Sequence, residues 1–281
     1  MSVRCLGPEV TARPVLLSSP HSGRVYPDWF LATTPLRPQD FRPLDDGPTD
    51  LFVEAAVAAG AGAVCALHPR AVVDLNRAPA EIDPALLPKG SRRGFDLTPR
   101  VRAGLGVIPT RVGHARIYPG SLAEAALRRR FADAYAPYHA VLGRRLTALR
   151  AAHGQALLLD VHSMPDQLAV AEGRRVDVAL GDRFGRSCGA ELTQAARRRL
   201  ADEGLAVALN HPYAGGHITE RYGRPHLRLH ALQIEIRRGL FLDEATGSID
   251  PAGVARLDAA LARLVGWLGA LLLPSEIVTA A

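Results

Sequence analysis

Short, unbroken apolar runs alternate along this chain with stretches of helical periodicity, and that alternation limits the folds open to it. "PVLL", "AGAVCAL", "AVVDLNR", "QALLLDVHS", "LAVALN" and "HALQIEIRRGLF" place aliphatic residues at successive positions, so both faces of each strand need cover. Between them lie expected helices. "TDLFVEAAVAAGA" has Thr49 as its N-cap and Gly60 as its stop. A long helical region starts at Ser121, with Ser121 and Glu124 as a capping box and a kink at Pro137. "AELTQAARRRLADEG" closes at Gly204, and "VARLDAALARLVGWLGALLL" follows near the end. Strands alternating with helices predict an α/β fold, with a mixed, mostly parallel central sheet and helices on both faces. One domain spanning residues 1–281 is expected. Residues 78–117, rich in Pro, Gly and Arg, form the longest irregular stretch, and long loops are often functional.

Composition removes several classes of function. The last helix is the most apolar segment, but Arg256, Asp258 and Arg263 interrupt it on a helical period, so it reads as packed and not as a membrane span. A net charge of +6 invites a nucleic-acid reading. The cations are scattered arginines, with Lys89 the single lysine, and aromatic residues make up only 5% of the chain. No stacking platform accompanies the charge, which suits a small acidic substrate better. Three widely spaced cysteines argue against a disulfide framework. The first residues lack the charged start and continuous apolar stretch of a signal peptide, so a soluble cytoplasmic protein is expected. Oligomeric state is not legible.

In sheets of this kind ligands bind at the carboxyl ends of the strands. The residues found there carry chemistry: His21 in "SSPHSG", Asp46 in "LDDGPTD", Asn76 and Arg77 in "DLNR", His162 in "DVHS", and Glu235 within "QIEI". Two histidines and one carboxylate form the usual set for a catalytic zinc that keeps a fourth position for water. A further acid must then move the proton of that water, and Glu235, placed in an apolar strand, suits the role. Each residue also has a plainer reading: a structural histidine, a helix cap, a surface ion pair, an acid paired with a buried arginine. No HExxH or CxxC signature is present.

The ordered set "PHSG", "DDGPTD", "DLNR", "DVHS" and "QIEI" closely resembles the N-formylglutamate amidohydrolase family. "RIYPGSLAE", "PYH", "GDRFGRSC" and "PYAGGHITERYG" extend the likeness from about Pro14 to Glu244. The family is distantly similar to zinc carboxypeptidases and aspartoacylases, which implies a carboxypeptidase-like (phosphorylase/hydrolase-like) α/β fold and a zinc cofactor. It implies His21, His162 and Asp46 as zinc ligands. In the carboxypeptidase relatives an acid follows the first histidine by three positions; Arg24 stands there in this chain, leaving Asp50 and Asp45 as alternatives to Asp46.

The resemblance further implies Glu235 as general base and Asp160 as a carboxylate that orients a ligand histidine. Asn76 and Arg77 would grip a substrate carboxylate. Arg70 would stabilise the oxyanion, unless it is an ordinary surface arginine. The loop bearing Gly215, Gly216, His217 and Thr219 would close over the substrate. Arg237 is expected to meet a second carboxylate, with Arg238 the alternative because strand alternation lets one of the two face the site. The implied reaction is hydrolysis of N-formyl-L-glutamate to formate and L-glutamate, a late step of histidine breakdown. A related amidohydrolase for another N-acyl amino acid or small peptide, and a non-catalytic binding homologue, are the competing readings.

Overall fold

The computed structural model describes residues 2–88 and 94–273. Its centre is a seven-stranded sheet built from β1 (Val3–Leu6), β2 (Val15–Ser19), β3 (Gly62–Ala66), β4 (Ala156–Met164), β5 (Val178–Gly181), β6 (Val207–Leu209) and β7 (Leu229–Arg237). The order across the sheet is β1, β3, β2, β4, β7, β5, β6. Strands β3, β2, β4 and β7 run parallel, β1 lies antiparallel on one edge, and β5 and β6 run opposite to β7 on the other. The mixed, mostly parallel sheet is therefore as expected.

Alternation along the strands sorts the side chains into two apolar layers. Val15 and Leu17, Leu157 and Leu159, and Leu232 and Ile234 face the long helix α5 (Pro251–Leu272), which buries Leu257, Leu261, Leu264 and Leu268. Leu16, Val64, Leu158 and Ala231 face the opposite layer, where α3 (Ala136–His153) buries Tyr138, Leu142, Leu146 and Leu149. No helix among the described residues is long and apolar enough to cross a membrane.

Near their carboxyl ends the parallel strands change character on one face only. Towards α5, β4 and β7 stay apolar through Val161, Ile234 and Ile236. On the α3 side they turn polar: Leu16 gives way to Ser18, Leu158 to Asp160 and His162, and Ala231 to Gln233 and Glu235. Register aligns these changes, because Ser18 and Gln233 both pair with Asp160 while Glu235 pairs with His162. A polar row thus crosses three strands.

Three local expectations are corrected. "AVVDLNR" is not a strand: β3 already has β1 and β2 on its two edges, and residues 71–77 instead form a buried turn held by Val72 N–H to Pro69 O and Asp74 N–H to Val107 O. Ala71, Val72, Val73 and Leu75 are apolar because they pack into the α3 layer. Ser121 and Glu124 form no capping box; the helix α2 (Glu124–Arg130) begins after Ala123, and a π-helical turn at Phe131–Tyr135 precedes Pro137 and α3. Thr49 caps nothing, since it opens a 3-10 turn (Thr49–Phe52) and its hydroxyl bonds Ser19 Oγ at 2.8 Å. The irregular stretch 78–117 holds short turns, a four-residue helix (Pro99–Arg102) and two-residue strands, with 89–93 outside the described residues.

His139 on α3 ties the "DLNR" turn to the site. Its ring, 5% exposed, bonds Leu75 O and Tyr222 Oη, both at 3.0 Å. Burial, with the neighbouring Arg221 and His217, pushes its pKa down to about 3. The folded ring therefore stays neutral while the unfolded one takes a proton below about pH 6.5, so its stabilising effect is lost as pH falls from there toward 3. We expect the destabilisation caused by His139→Gln, measured by urea unfolding, to shrink by on the order of 2 kcal/mol between pH 7 and pH 5. A penalty constant over that range would mean the ring is not held neutral.

Candidate active site

His21 lies in the loop after β2, His162 on β4, and Asp46 in the segment before the Thr49–Phe52 turn. All three are buried, and one ligand atom from each lies within 4.8 Å of the others. Nδ1 of His21 stands 3.3 Å and Nδ1 of His162 2.8 Å from Asp46 Oδ2. Behind each ring is a second carboxylate: His21 Nε2 donates to Asp74 Oδ1 (2.8 Å) and His162 Nε2 to Asp160 Oδ2 (2.9 Å). Both imidazoles thus turn Nδ1 toward one point while an acid holds the far nitrogen, the pattern that orients histidine ligands of a metal. The donor set of two imidazoles and a carboxylate fits zinc with one position left open.

Of the three candidate acids, Asp46 alone stands between the rings. Asp50 is engaged by Arg24 through two bonds of 2.8 Å, and Asp45 turns toward Tyr26 Oη at 3.4 Å. Burial disfavours charge on Asp46, but the His21 and His162 rings outweigh it and hold the carboxyl well below its usual range. Asp74 is likewise held low, with Arg70, Arg77 and His21 overcoming burial. Asp74 opens the "DLNR" stretch, and its place two residues before Asn76, whose N–H it accepts at 2.8 Å, is the local signal for its role.

Glu235 is opposite His162 in the sheet and 6% exposed. Burial first, and the Asp46 and Asp160 charges next, push its pKa up to about 7 against the pull of His162 and Arg70. Gln233 Nε2 donates to its Oε1 at 2.5 Å. Arg70 bonds Asp74 through Nε (2.7 Å) and brings Nη1 to 3.9 Å from Asp46 Oδ1, so it is a site residue and not a free surface arginine.

Several expected substrate groups are placed otherwise. Asn76 is held in place, its backbone N–H donating to Asp74 Oδ1 and its Oδ1 accepting from Ile218 N–H, both at 2.8 Å. Gly216 allows this approach, because a Cβ there would fall 2.4 Å from the Asn76 amide nitrogen. Arg77 spends Nη1 and Nε on the carbonyls of Asn76 and Leu105. Thr219 closes its own loop, donating to Gly216 O and accepting from Gly216 N–H. Arg237 is held by Asp166 and Asp177, whereas Arg238 lies 4.0 Å from Asp46 Oδ1 and donates to Ser163 Oγ. Arg238, the first residue after β7, therefore faces the site, and Arg237, the last residue of the strand, does not. A cavity of about 910 Å³ opens beside His21, and Arg24, Arg42 and Arg238 bring cationic groups to its wall.

Fold and site together define an α/β protein with a buried His/Asp/His metal-type centre at the carboxyl edge of its parallel strands. A profile of the N-formylglutamate amidohydrolase family matches residues 13–242. The N-formylglutamate deformylase of Pseudomonas aeruginosa is 32% identical over 271 residues, covering 90% of this chain and 93% of that one. The Pseudomonas putida deformylase is 30% identical over 240 residues, covering 82% of each. The crystal structure of N-formylglutamate amidohydrolase from Ralstonia eutropha JMP134 superposes with a TM-score of 0.89 at 32% identity, over 96% of this chain and 98% of that one. The chain belongs to the N-formylglutamate amidohydrolase family, and so to the hydrolases that act on amide bonds.

Two substitutions separate the acids. Asp46→Asn should weaken zinc binding by at least a hundredfold in a competition titration with a chelator, while Asp50→Asn leaves it within threefold. Asp74→Asn, which removes the acceptor behind His21, should weaken it by roughly 10–100-fold. Zinc affinity unchanged in Asp46→Asn would remove that residue from the ligand set.

Proposed function

We propose that the chain is a zinc-dependent amidohydrolase that cleaves N-formyl-L-glutamate to formate and L-glutamate. The observation that carries this reading is the convergence of two carboxylate-backed imidazoles and Asp46 beside a buried glutamate. The relatives named for this reaction support the choice of substrate. His21, Asp46 and His162 would hold the metal, which supplies a Lewis acid for the formyl carbonyl and lowers the pKa of water to about 7.

The chain's own residues account for the rest of the chemistry. Glu235 takes a proton from the attacking water as the oxygen bonds the formyl carbon. It then delivers that proton to the nitrogen as the C–N bond breaks, so the neutral amine leaves and formic acid remains, which gives up its proton to the amine or solvent to become formate. Its raised pKa suits an acid that must accept and return a proton near neutral pH. Arg70, anchored by Asp74 through Nε, presents its Nη groups beside Asp46, where they can offset charge developing on the carbonyl oxygen. Arg24, Arg42 and Arg238 make the approach through the cavity favourable for a dianionic substrate.

Glu235→Gln keeps the shape and hydrogen-bonding of the side chain but not its basicity. It should retain zinc, read by metal analysis after dialysis, and lose at least a thousandfold in kcat for N-formyl-L-glutamate. Residual turnover above a tenth of the parent rate would exclude Glu235 as base. Hydrolysis of N-acetyl-L-aspartate should be much slower than that of N-formyl-L-glutamate; the reverse order would move the assignment to a different N-acyl amino acid.

A further inference from the structure

Five of the six tyrosines spend their hydroxyls within the fold. Tyr26 donates to Asp45, Tyr118 accepts from Arg130, Tyr135 donates to Arg77 O, Tyr138 bonds Ser18 and Tyr222 donates to His139 O. The half-buried Tyr213 is the exception: its hydroxyl bonds no other described residue, and it is not sealed away from a ligand. A phenol in or near a protein's interior usually finds a partner, so this one is left for something else.

Tyr213 lies in the loop between β6 and the helix α4 (His217–Tyr222), and that loop crosses the sheet on the face that carries the site. Register shows how. Glu235 pairs with Ala179 and Gln233 with Gly181, so these two small residues share the face of the two polar ones. A Cβ on Gly181 would fall 2.5 Å from Gly215 N, which puts the loop directly over the end of β5. Tyr213, two residues earlier, packs on the small apolar cluster of Met164, Ala169, Val176 and Ala179. Met164 follows His162 by two positions on β4, and Ala179 is the strand partner of Glu235. The ring therefore rests beside the neighbours of both His162 and Glu235.

The charges that act on the Tyr213 hydroxyl are those of the site. Burial first, then Glu235 and Asp46, raise its pKa against the pull of Arg238 and Arg70, so the phenol keeps its proton in neutral solution and stays a donor. A donor that faces the reacting centre and bonds nothing in the resting protein suits an acceptor that exists only during the reaction. In amide hydrolysis that acceptor is the carbonyl oxygen, which takes up negative charge as water adds to the carbon. We propose that the Tyr213 hydroxyl donates a hydrogen bond to this oxygen as a second donor beside Arg70, which makes Tyr213 a further catalytic residue. The phenol keeps its proton throughout, and no bond of the side chain breaks. This assignment rests on the deformylase reading above.

Tyr213→Phe removes the hydroxyl and keeps the ring on its apolar cluster, so parent and variant can be compared at equal zinc content and melting temperature. With N-formyl-L-glutamate, kcat should fall by about a hundredfold while KM stays within roughly threefold, because the bond is made only in the transition state. A fall in kcat of less than tenfold, or a loss carried by KM alone, overturns the proposal. If the parent enzyme does not cleave N-formyl-L-glutamate, the deformylase reading fails separately, and binding of a tetrahedral analogue decides this one. The probe is N-(methylphosphonyl)-L-glutamate, whose P–O⁻ stands where the oxyanion forms, titrated by calorimetry into the zinc-loaded protein. Affinity weakened tenfold or more in Tyr213→Phe supports the assignment; a smaller change, or no binding to the parent, overturns it.

Discussion

Asp46 stands between two imidazoles, and each imidazole rests on a further buried carboxylate; the rest of the site is arranged around that line of charges. Removing several charges from water costs several kcal/mol per ion, and the cost is recovered only where partners and hydrogen bonds are complete. Arg70 answers Asp74, and both Arg70 and Arg238 bring a guanidinium nitrogen to within about 4 Å of Asp46 Oδ1. Ser163 donates its hydroxyl to Asp46 O and brings its N–H to 3.3 Å from Asp46 Oδ2, while Ser18 donates to Asp160 Oδ1 at 2.8 Å. Neutralising any one of these acids would strand its partner, and a divalent ion at the point that the two Nδ1 atoms and Asp46 face fits the cluster.

The sheet provides the rigidity such a cluster needs. Three parallel strands end their apolar α3-facing rows at the same level, and their registers bring Ser18, Asp160 and Gln233 into one line and His162 and Glu235 into the next. The other face continues as Val161, Ile234 and Ile236 against the α5 layer, so the polar edge sits on a packed support. Loops contribute only what strands cannot: His21 and Asp46 arrive from the two segments that follow β2, and Asn76 Oδ1 takes the Ile218 N–H of the short helix His217–Tyr222.

Much of the fold was legible because its evidence is periodic. Continuous aliphatic runs such as "ALLLDV" identified buried strands, and the interrupted apolar stripe of the last helix identified a packed and not a spanning segment. The failure at "AVVDLNR" has a physical cause. Hydrophobicity reports burial, and a buried turn beneath α3 buries Val72 and Leu75 as fully as a strand would. Only the occupied edges of β3 exclude a strand there, and edge occupancy is a property of the assembled sheet. The capping box at Ser121 failed similarly, since the chain enters α2 from Leu122, whose N–H is taken by Leu86 O.

By itself, the sequence determined which residue types stand at the strand ends and which strand carries each: His162 in the "DVHS" strand, Glu235 in "QIEI", and His21 just beyond "VLLSS". Alternation makes such assignments local, because residues two apart share a face whatever surrounds them. Tertiary structure decided everything that depends on distance across the chain. It chose Asp46 over Asp45 and Asp50, turned Arg238 inward by tying Arg237 to Asp166 and Asp177, engaged Asn76 and Thr219 in structural bonds, and set Asp74 behind His21 from 53 residues away. Charges separated so widely in sequence interact only through the space that folding closes between them, and no local pattern encodes that space.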